Sequence, residues 1–476
     1  MWKPVLVVVA LVFGLTLSVH TEVADGANPA EMTDAYVGSA LAKQKIPGLS
    51  MGVVRDGRLI YAKAYGLSDV ELNVPAASDS VYEIGSITKD FTATAIMMLV
   101  EEKKVGLDDP ISKHLKQLPD VWKNITIRDL LTHTSGIRNY LSVPNFANLA
   151  LRPTTPDELL RLVGKDPLRF EPGEKWEYSN TGYCILGLLI EQAGGECYAE
   201  FLRKRIFLPL GMTATRVNDL ARIIPGRAAG YQLENGELRN APRWDPTCAG
   251  AAGALISNVP DLAKWVAAQD SAQVLSKSSV ELMRSPAKLR DGRLLSYGFG
   301  CLVSSINGHR MIRYTGGIPG FITTIVDYPD DGLAVIVLTN LITADAEGIA
   351  VHIGSIYDPR LDYRPIADAE PQVTEMIRKT FAAWAEGKVT GAAFTPDFWK
   401  TLNSRPSPGG KTLLEQNAAS LRDHGPIRAI KLLQREEREN RFYRYRIDYE
   451  KTSRLMWFDV NDEGKIVSFG AQPVSN

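Results

Sequence analysis

The sequence predicts an α+β fold: hairpin strands near the start and again after Tyr297, a mostly helical and loop-rich stretch between them, and a small α+β domain at the C-terminal end. Three observations carry this. Near the start, Arg55-Asp-Gly-Arg58 lies between the apolar runs Leu49–Val54 and Leu59–Tyr65, a strong hairpin signal. Residues 105 to about 285 are mostly helical and loop-rich. From Tyr297 the apolar period becomes two, the signature of strands. The chain has 476 residues, 45% hydrophobic and 23% charged, which is ordinary globular usage with length for a large core.

Residues 1–26 read as a signal peptide. Lys3 supplies the charge, Pro4 to Val19 is nearly all apolar, and small residues surround Ala24–Ala27. The apolar run is shorter than the roughly 20 residues a membrane span needs. An exported protein, periplasmic or secreted, with no stable span after cleavage is expected. The formal net charge of −1 gives no electrostatic case for nucleic acid. The six histidines are scattered, with no H-E-x-x-H and no C-x-x-C, so neither a metal nor a cofactor is expected. Of the four cysteines, Cys184 and Cys301 lie in apolar runs and read as small buried hydrophobes.

Residues 31–46 form an amphipathic pattern that ends at Pro47-Gly48, and the hairpin follows. Gly48-Leu-Ser-Met-Gly52 spells G-x-S-x-G, but that motif needs a strand before the serine and a helix after it. Here a helix precedes and a strand follows, so Ser50 is not expected to be catalytic.

The next stretch is where chemistry is expected. Residues 83–102 open with Gly85-Ser86 and continue as a helix, with Phe91, Ala95, Met98 and Leu99 at helical spacing. Ser86 and Lys89 are three residues apart and share a face. A hydroxyl and an amine therefore meet at a helix N-terminus, which favours a developing anion. The amine works as a base only if burial depresses its pKa from about 10.4. A second S-x-x-K, Ser285–Lys288, runs into the turn Asp291-Gly292 and lacks the helix.

Leu130–Gly136 reads as a helix end and a turn in which His133 fixes the loop. The loop Glu171–Asn180 leads into an apolar helix from Thr181 to Gln192. Tyr178, beside the Lys89 ammonium, is expected to have a lowered pKa and to share proton transfer. Ala249–Leu255 is small and flexible, and Asn258 or Ser257 caps a helix over 261–269. Strands follow over 298–304, 311–314, 322–328 and 333–338, with hairpins at Asn307-Gly308 and Asp330–Gly332. Tyr314–Gly320 is expected to interrupt the sheet, its glycines allowing close approach to a ligand. A helix covers about 344–357.

Pro365 and Pro371 bracket a linker, dividing a domain over 27–362 from one over 371–476. The second carries helical patterns to about Phe398, then strands over 429–433, 441–449, 455–459 and 466–470. Glu436–Arg446 is charge-dense and reads as a solvated strand edge. The tail resembles, weakly, cystatin-like or nuclear-transport-factor-like domains.

Ser86-Ile-Thr-Lys89, Tyr178-Ser-Asn180 and Tyr314-Thr-Gly316, in that order, resemble the three motifs of the serine β-lactamase and penicillin-binding protein family. The Y-x-N form points to its class C-like branch, with D-amino-acid peptidases and esterases. The likeness covers about residues 30–360. It implies a β-lactamase-like fold, a mixed antiparallel sheet flanked by helices plus an all-helical region, with the site between them. It makes Ser86 the acylated nucleophile, with Lys89 and Tyr178 moving the proton. Asn180 holds substrate or Lys89. Tyr314, Thr315, Gly316 and Gly317 line the substrate side, and the Ser86 and Gly317 N–H groups form the oxyanion hole. The implied substrate is a small molecule or peptide-like compound with an ester, amide or β-lactam bond. The alternative is a sensor that acylates and stalls. The third motif departs from the family in placing Tyr314 where Lys or His is usual, so a cation for a substrate carboxylate is expected to be missing.

Overall fold

The computed structural model describes residues 28–144, 146–404, 411–438 and 440–473. The segment read as a signal peptide lies outside them. No helix among the described residues is long and apolar enough to cross a membrane.

A seven-stranded antiparallel sheet is the centre of the larger part. Its order is Val74–Pro75, Arg58–Asp69, Gly48–Arg55, Leu333–Thr339, Phe321–Tyr328, His309–Ile318 and Leu302–Ile306. The first hairpin and the late strands join through Gly48–Arg55 and Leu333–Thr339, whose partners run from Leu49 with Thr339 to Arg55 with Leu333. Strand alternation divides the core in two. Val335 and Val337 face one layer with Leu49, Met51, Ile349 and Ile353. Ala334, Ile336 and Leu338 face the other, with Phe91, Trp265 and Ile325. The first layer is closed by the helices Pro29–Gln44 and Ala346–Tyr357. Asn28 starts the former, its side chain accepting from the Ala30 N–H, and Lys45 ends it in a left-handed conformation. The second layer holds the helices Thr88–Glu101 and Val259–Asp270 and, beyond them, the helical region with Asn180–Gly194 at its centre. The fold is thus the expected mixture of an antiparallel sheet, flanking helices and a helical region.

Two local expectations are corrected. Residues 298–301 do not form a strand: the chain turns, with the Gly298 N–H donating to the Cys301 carbonyl at 2.9 Å, and pairing begins at Leu302. Tyr314–Gly320 does not interrupt the sheet. His309–Ile318 stays paired with Phe321–Tyr328 as far as Ile318 with Phe321. Its other neighbour, Leu302–Ile306, stops at Arg313, which leaves the edge beyond Arg313 beside the Ser86 turn.

The C-terminal part is a four-stranded antiparallel sheet in sequence order, Ile427–Glu437, Arg441–Tyr449, Ser453–Val460 and Ile466–Pro473. One face packs Tyr443, Tyr445, Ile447 and Phe458 against Ile377, Phe381 and Trp384 of the helix Pro371–Ala385. The helix Leu413–His424 is an addition to the sequence reading. Its capping box, Thr412 with Glu415, was available as a signal. The charge-dense strand is not a free edge: the Ser305 N–H and hydroxyl donate to Glu436 at 3.2 and 3.0 Å, which docks the small sheet on the rim of the large one.

The cysteines are all free. Cys184, Cys248 and Cys301 are buried, and Cys197 is exposed.

Candidate active site

Ser86 lies in a single tight turn, Gly85–Ile87, that runs directly into the helix Thr88–Glu101. The turn is fixed on three sides. The short strand Tyr82–Glu83 pairs with Leu255–Ser257, and the Ile84 N–H donates to the Leu255 carbonyl at 3.0 Å. The Leu255 N–H donates to the Thr88 hydroxyl at 3.1 Å. The Thr323 hydroxyl donates to the Ile84 carbonyl at 3.0 Å. Gly316 is required by proximity: a β-carbon there would lie 1.9 Å from the Ile84 oxygen and 2.9 Å from the Ser86 nitrogen. That close passage brings the Gly317 backbone beside Gly85 and Ser86, where the resemblance puts an oxyanion hole.

Lys89 is 1% exposed and its ammonium is driven well below its ordinary pKa by burial. Its Nζ is 3.0 Å from Ser86 Oγ, 2.8 Å from Asn180 Oδ1 and 2.6 Å from the Ala252 carbonyl oxygen. This set fits an uncharged amine. Two N–H groups point to the two carbonyl oxygens, and the lone pair is left for the serine proton. Ala249–Leu255, expected to be flexible, is instead a built segment of two short 3₁₀ turns and a strand that presents the Ala252 carbonyl.

Tyr178 donates its hydroxyl to Ser86 Oγ at 2.8 Å. The expectation of a lowered pKa is corrected. Burial pushes the phenol up to about 12, and the Ser86 contact only partly opposes this. Tyr178 therefore rests as a proton donor.

His133 is buried and holds the loop that carries Tyr178. Its carbonyl accepts the Glu177 N–H at 3.0 Å, and its Nδ1 accepts the Ser179 N–H at 3.2 Å. Because Nδ1 accepts, Nε2 carries the proton and donates to the Tyr297 hydroxyl, 3.1 Å away. Burial, followed by the proximity of Lys89, holds the imidazole pKa well below its usual value. Ser50 is fully buried in the middle of its strand, with its hydroxyl on Ala77 and Tyr82, each at 2.8 Å, and is remote in role from this cluster.

The third motif requires a correction. Thr315 and Gly317 line a cavity of about 300 Å³ with Ser86, Lys89 and Tyr178, but Tyr314 does not. Tyr314 is buried on the opposite face of the strand, donating to Gln269 Oε1 and accepting from Arg284 Nε, each at 3.1 Å. Strand alternation puts Arg313, not Tyr314, on the cleft side. A cation is therefore present where none was expected. It is paired with Glu347, whose carboxyl is raised by burial but held below its ordinary range overall by Arg313 and Arg444. Trp176 and Tyr297 complete this wall and were also missed, because nothing in local sequence ties them to Ser86. On the other side of Ser86, Tyr140, Trp244 and Ile318 line a cavity of about 160 Å³. No group of three or more His, Cys, Asp or Glu able to hold a metal occurs among the described residues.

Glu83, three residues before Ser86, is pushed up to about 7 by burial, with Arg243 and Arg227 opposing. An acid with a raised folded pKa binds more protons folded than unfolded. Its contribution thus falls as pH rises from about 4.5 to about 7. Glu83→Gln mimics the protonated acid. The variant is expected to lose less thermal stability than the parent between pH 5 and pH 8, read by parallel melting curves.

The comparisons agree with this geometry. The Beta-lactamase family model matches residues 33–353. The chain is 34% identical over 306 residues to penicillin-binding protein 4* of Bacillus subtilis (strain 168), over 60% of this chain and 66% of that one, just under two thirds of the relative's length. The structure of a D-stereospecific amidohydrolase from Streptomyces sp. is similar at 28% identity and TM-score 0.59, covering 69% of this chain and 98% of that one. The octameric penicillin-binding protein homologue from Pyrococcus abyssi, at 24% identity and TM-score 0.62, shares the fold over 94% of this chain and 96% of its own. With a serine, a buried lysine and a tyrosine converging on one oxygen within the matched span, this chain belongs to the Beta-lactamase family.

Proposed function

We propose that this protein is an exported serine hydrolase that forms an acyl-enzyme on Ser86 and releases it with water. The observation that carries the reading is that Ser86 Oγ stands between a buried amine at 3.0 Å, whose pKa burial depresses, and a phenol O–H at 2.8 Å. Lys89 takes the Ser86 proton as the oxygen attacks the carbonyl carbon. The Ser86 and Gly317 N–H groups receive the developing oxyanion. The Tyr178 proton passes to the leaving group, and the proton held by Lys89 is handed on to the Tyr178 oxygen, so both groups return to their starting states. Water then repeats the sequence on the ester. The bond is an ester or an amide. The D-stereospecific amidohydrolase among the similar structures supports D-configured amides as one class to assay.

The test is a fluorophosphonate probe on the purified chain, with the labelled peptide located by mass, beside turnover of short-chain nitrophenyl esters, nitrocefin and D-amino-acid amides. Label on Ser86 with turnover supports the reading. Label on Ser50, or none, overturns it. A stoichiometric burst with no turnover assigns the sensor role instead.

A further inference from the structure

A second cavity, of about 470 Å³, opens beside the Ser86 cleft and shares four wall residues with it: Trp176, Tyr297, Leu302 and Arg313. Its far wall belongs to the C-terminal sheet. Phe442 and Arg444 alternate with Tyr443 and Tyr445, which face the small domain's own core. Across the strand pair, Phe442 stands opposite Asp459 and Arg444 opposite Trp457, so one sheet face presents all four side chains to the cavity. A β-carbon on Gly470 would lie 2.5 Å from the Trp457 ring, so the glycine is what lets the indole lie across that strand.

Three arginines and three carboxylates meet at this wall, but one of the arginines has no direct ion-pair partner. Arg313 is paired with Glu347, and Arg438 with Glu436 at 2.6 Å. The Asp459 carboxyl is occupied by the Ser468 hydroxyl at 2.6 Å. Arg444 is 5% exposed, and among the described residues it forms no ion pair or hydrogen bond; its buried Nε has no partner. Its guanidinium lies 4.9 Å from the centre of the Tyr363 ring and 5.6 Å from that of Phe442. Glu347, engaged by Arg313, acts on Arg444 only through space, so the Arg444 donor stays unmet, and a bound anion on the cavity side satisfies it.

We propose that the C-terminal domain is part of the substrate site, and that Arg444 binds a carboxylate of a substrate whose apolar or aromatic body lies between Trp176, Trp457 and Phe442. A single unpaired arginine between two paired ones selects a monoanion over a dianion. The proposal rests on the hydrolase reading only in calling the bound molecule a substrate, and its test needs no turnover. Full-length Ser86→Ala protein is titrated with N-benzoylglycine and with its uncharged amide, following quenching of tryptophan fluorescence. The carboxylate is expected to bind at least about tenfold more tightly, the scale of a charge-assisted bidentate contact. Arg444→Gln is expected to erase that preference. Equal affinities, binding of neither compound, or a preference that survives in Arg444→Gln would overturn the proposal. The carboxylate-against-amide comparison decides it even if Arg444→Gln fails to fold. Absence of probe label on Ser86 would sink the hydrolase reading without touching this one.

Discussion

Ser86→Ala is expected to lower kcat/KM for any ester the protein turns over by on the order of 10⁴–10⁶, and Lys89→Met by nearly as much. The two side chains act on one proton. Without the serine oxygen there is no bond to form, and without the amine nothing takes the proton, because the other neighbour, the Tyr178 hydroxyl, is itself a donor. The double variant is therefore expected to be no worse than Ser86→Ala alone, because groups that work as a unit are not additive. Lys89 also sets the pH dependence. Its folded pKa is depressed by burial, so the competent uncharged form is present above that pKa and lost as pH falls through it. Activity should rise with pH along a single limb to a plateau. The same shift means that the unfolded chain binds the extra proton between the folded pKa and 10.5, so the Lys89 contribution to stability rises with pH across that window. A Lys89→Met protein that kept substantial turnover with an unchanged pH limb would contradict the assignment.

The second large effect is expected at Tyr178. Tyr178→Phe removes the hydroxyl that lies 2.8 Å from Ser86 Oγ and leaves the ring that packs 4.4 Å from His133. A lost general acid costs about 10²–10⁴ in turnover. With its pKa near 12, the phenol stays protonated through the ordinary assay range, so the falling limb of the profile lies beyond it. The variant should thus lower the plateau without moving the rising limb. If the rising limb shifts in Tyr178→Phe, the tyrosine is the base and Lys89 is not. Steady-state profiles from pH 5 to pH 10 on an ester with a poor leaving group read the difference, because a good leaving group needs little protonation.

What could be read from the sequence depends on the distance over which each relation acts. Ser86 and Lys89 were legible because one helical turn fixes their separation, whatever surrounds it. Tyr178 and Asn180 were legible as a motif, but the third partner of Lys89 was not: Ala252 offers only a backbone carbonyl, which leaves no residue-type signature. Tyr314 was placed on the wrong side because the parity of a strand is relative. Nothing within Arg313–Gly317 states which alternate set meets Ser86 until the register with Phe321–Tyr328 and the crossing at Gly316 are known. Tyr178's proton affinity was misjudged for a related reason. The sequence shows a lysine nearby but not that burial of the phenol itself dominates its proton affinity. Arg444 lay furthest from view, because its setting depends on two separately built sheets meeting at Ser305 and Glu436.

The dryness around Lys89 has a further consequence. Its reactivity is borrowed from burial beside Tyr178, Tyr183 and the Ala249–Leu255 segment rather than from any charged neighbour. Admitting even a few solvent molecules to that seam would restore the ammonium and silence the serine while helices and sheet stay intact. Loss of turnover in mild denaturant should therefore precede the spectroscopic transition, so that catalysis serves as the molecule's most sensitive gauge of its own interior.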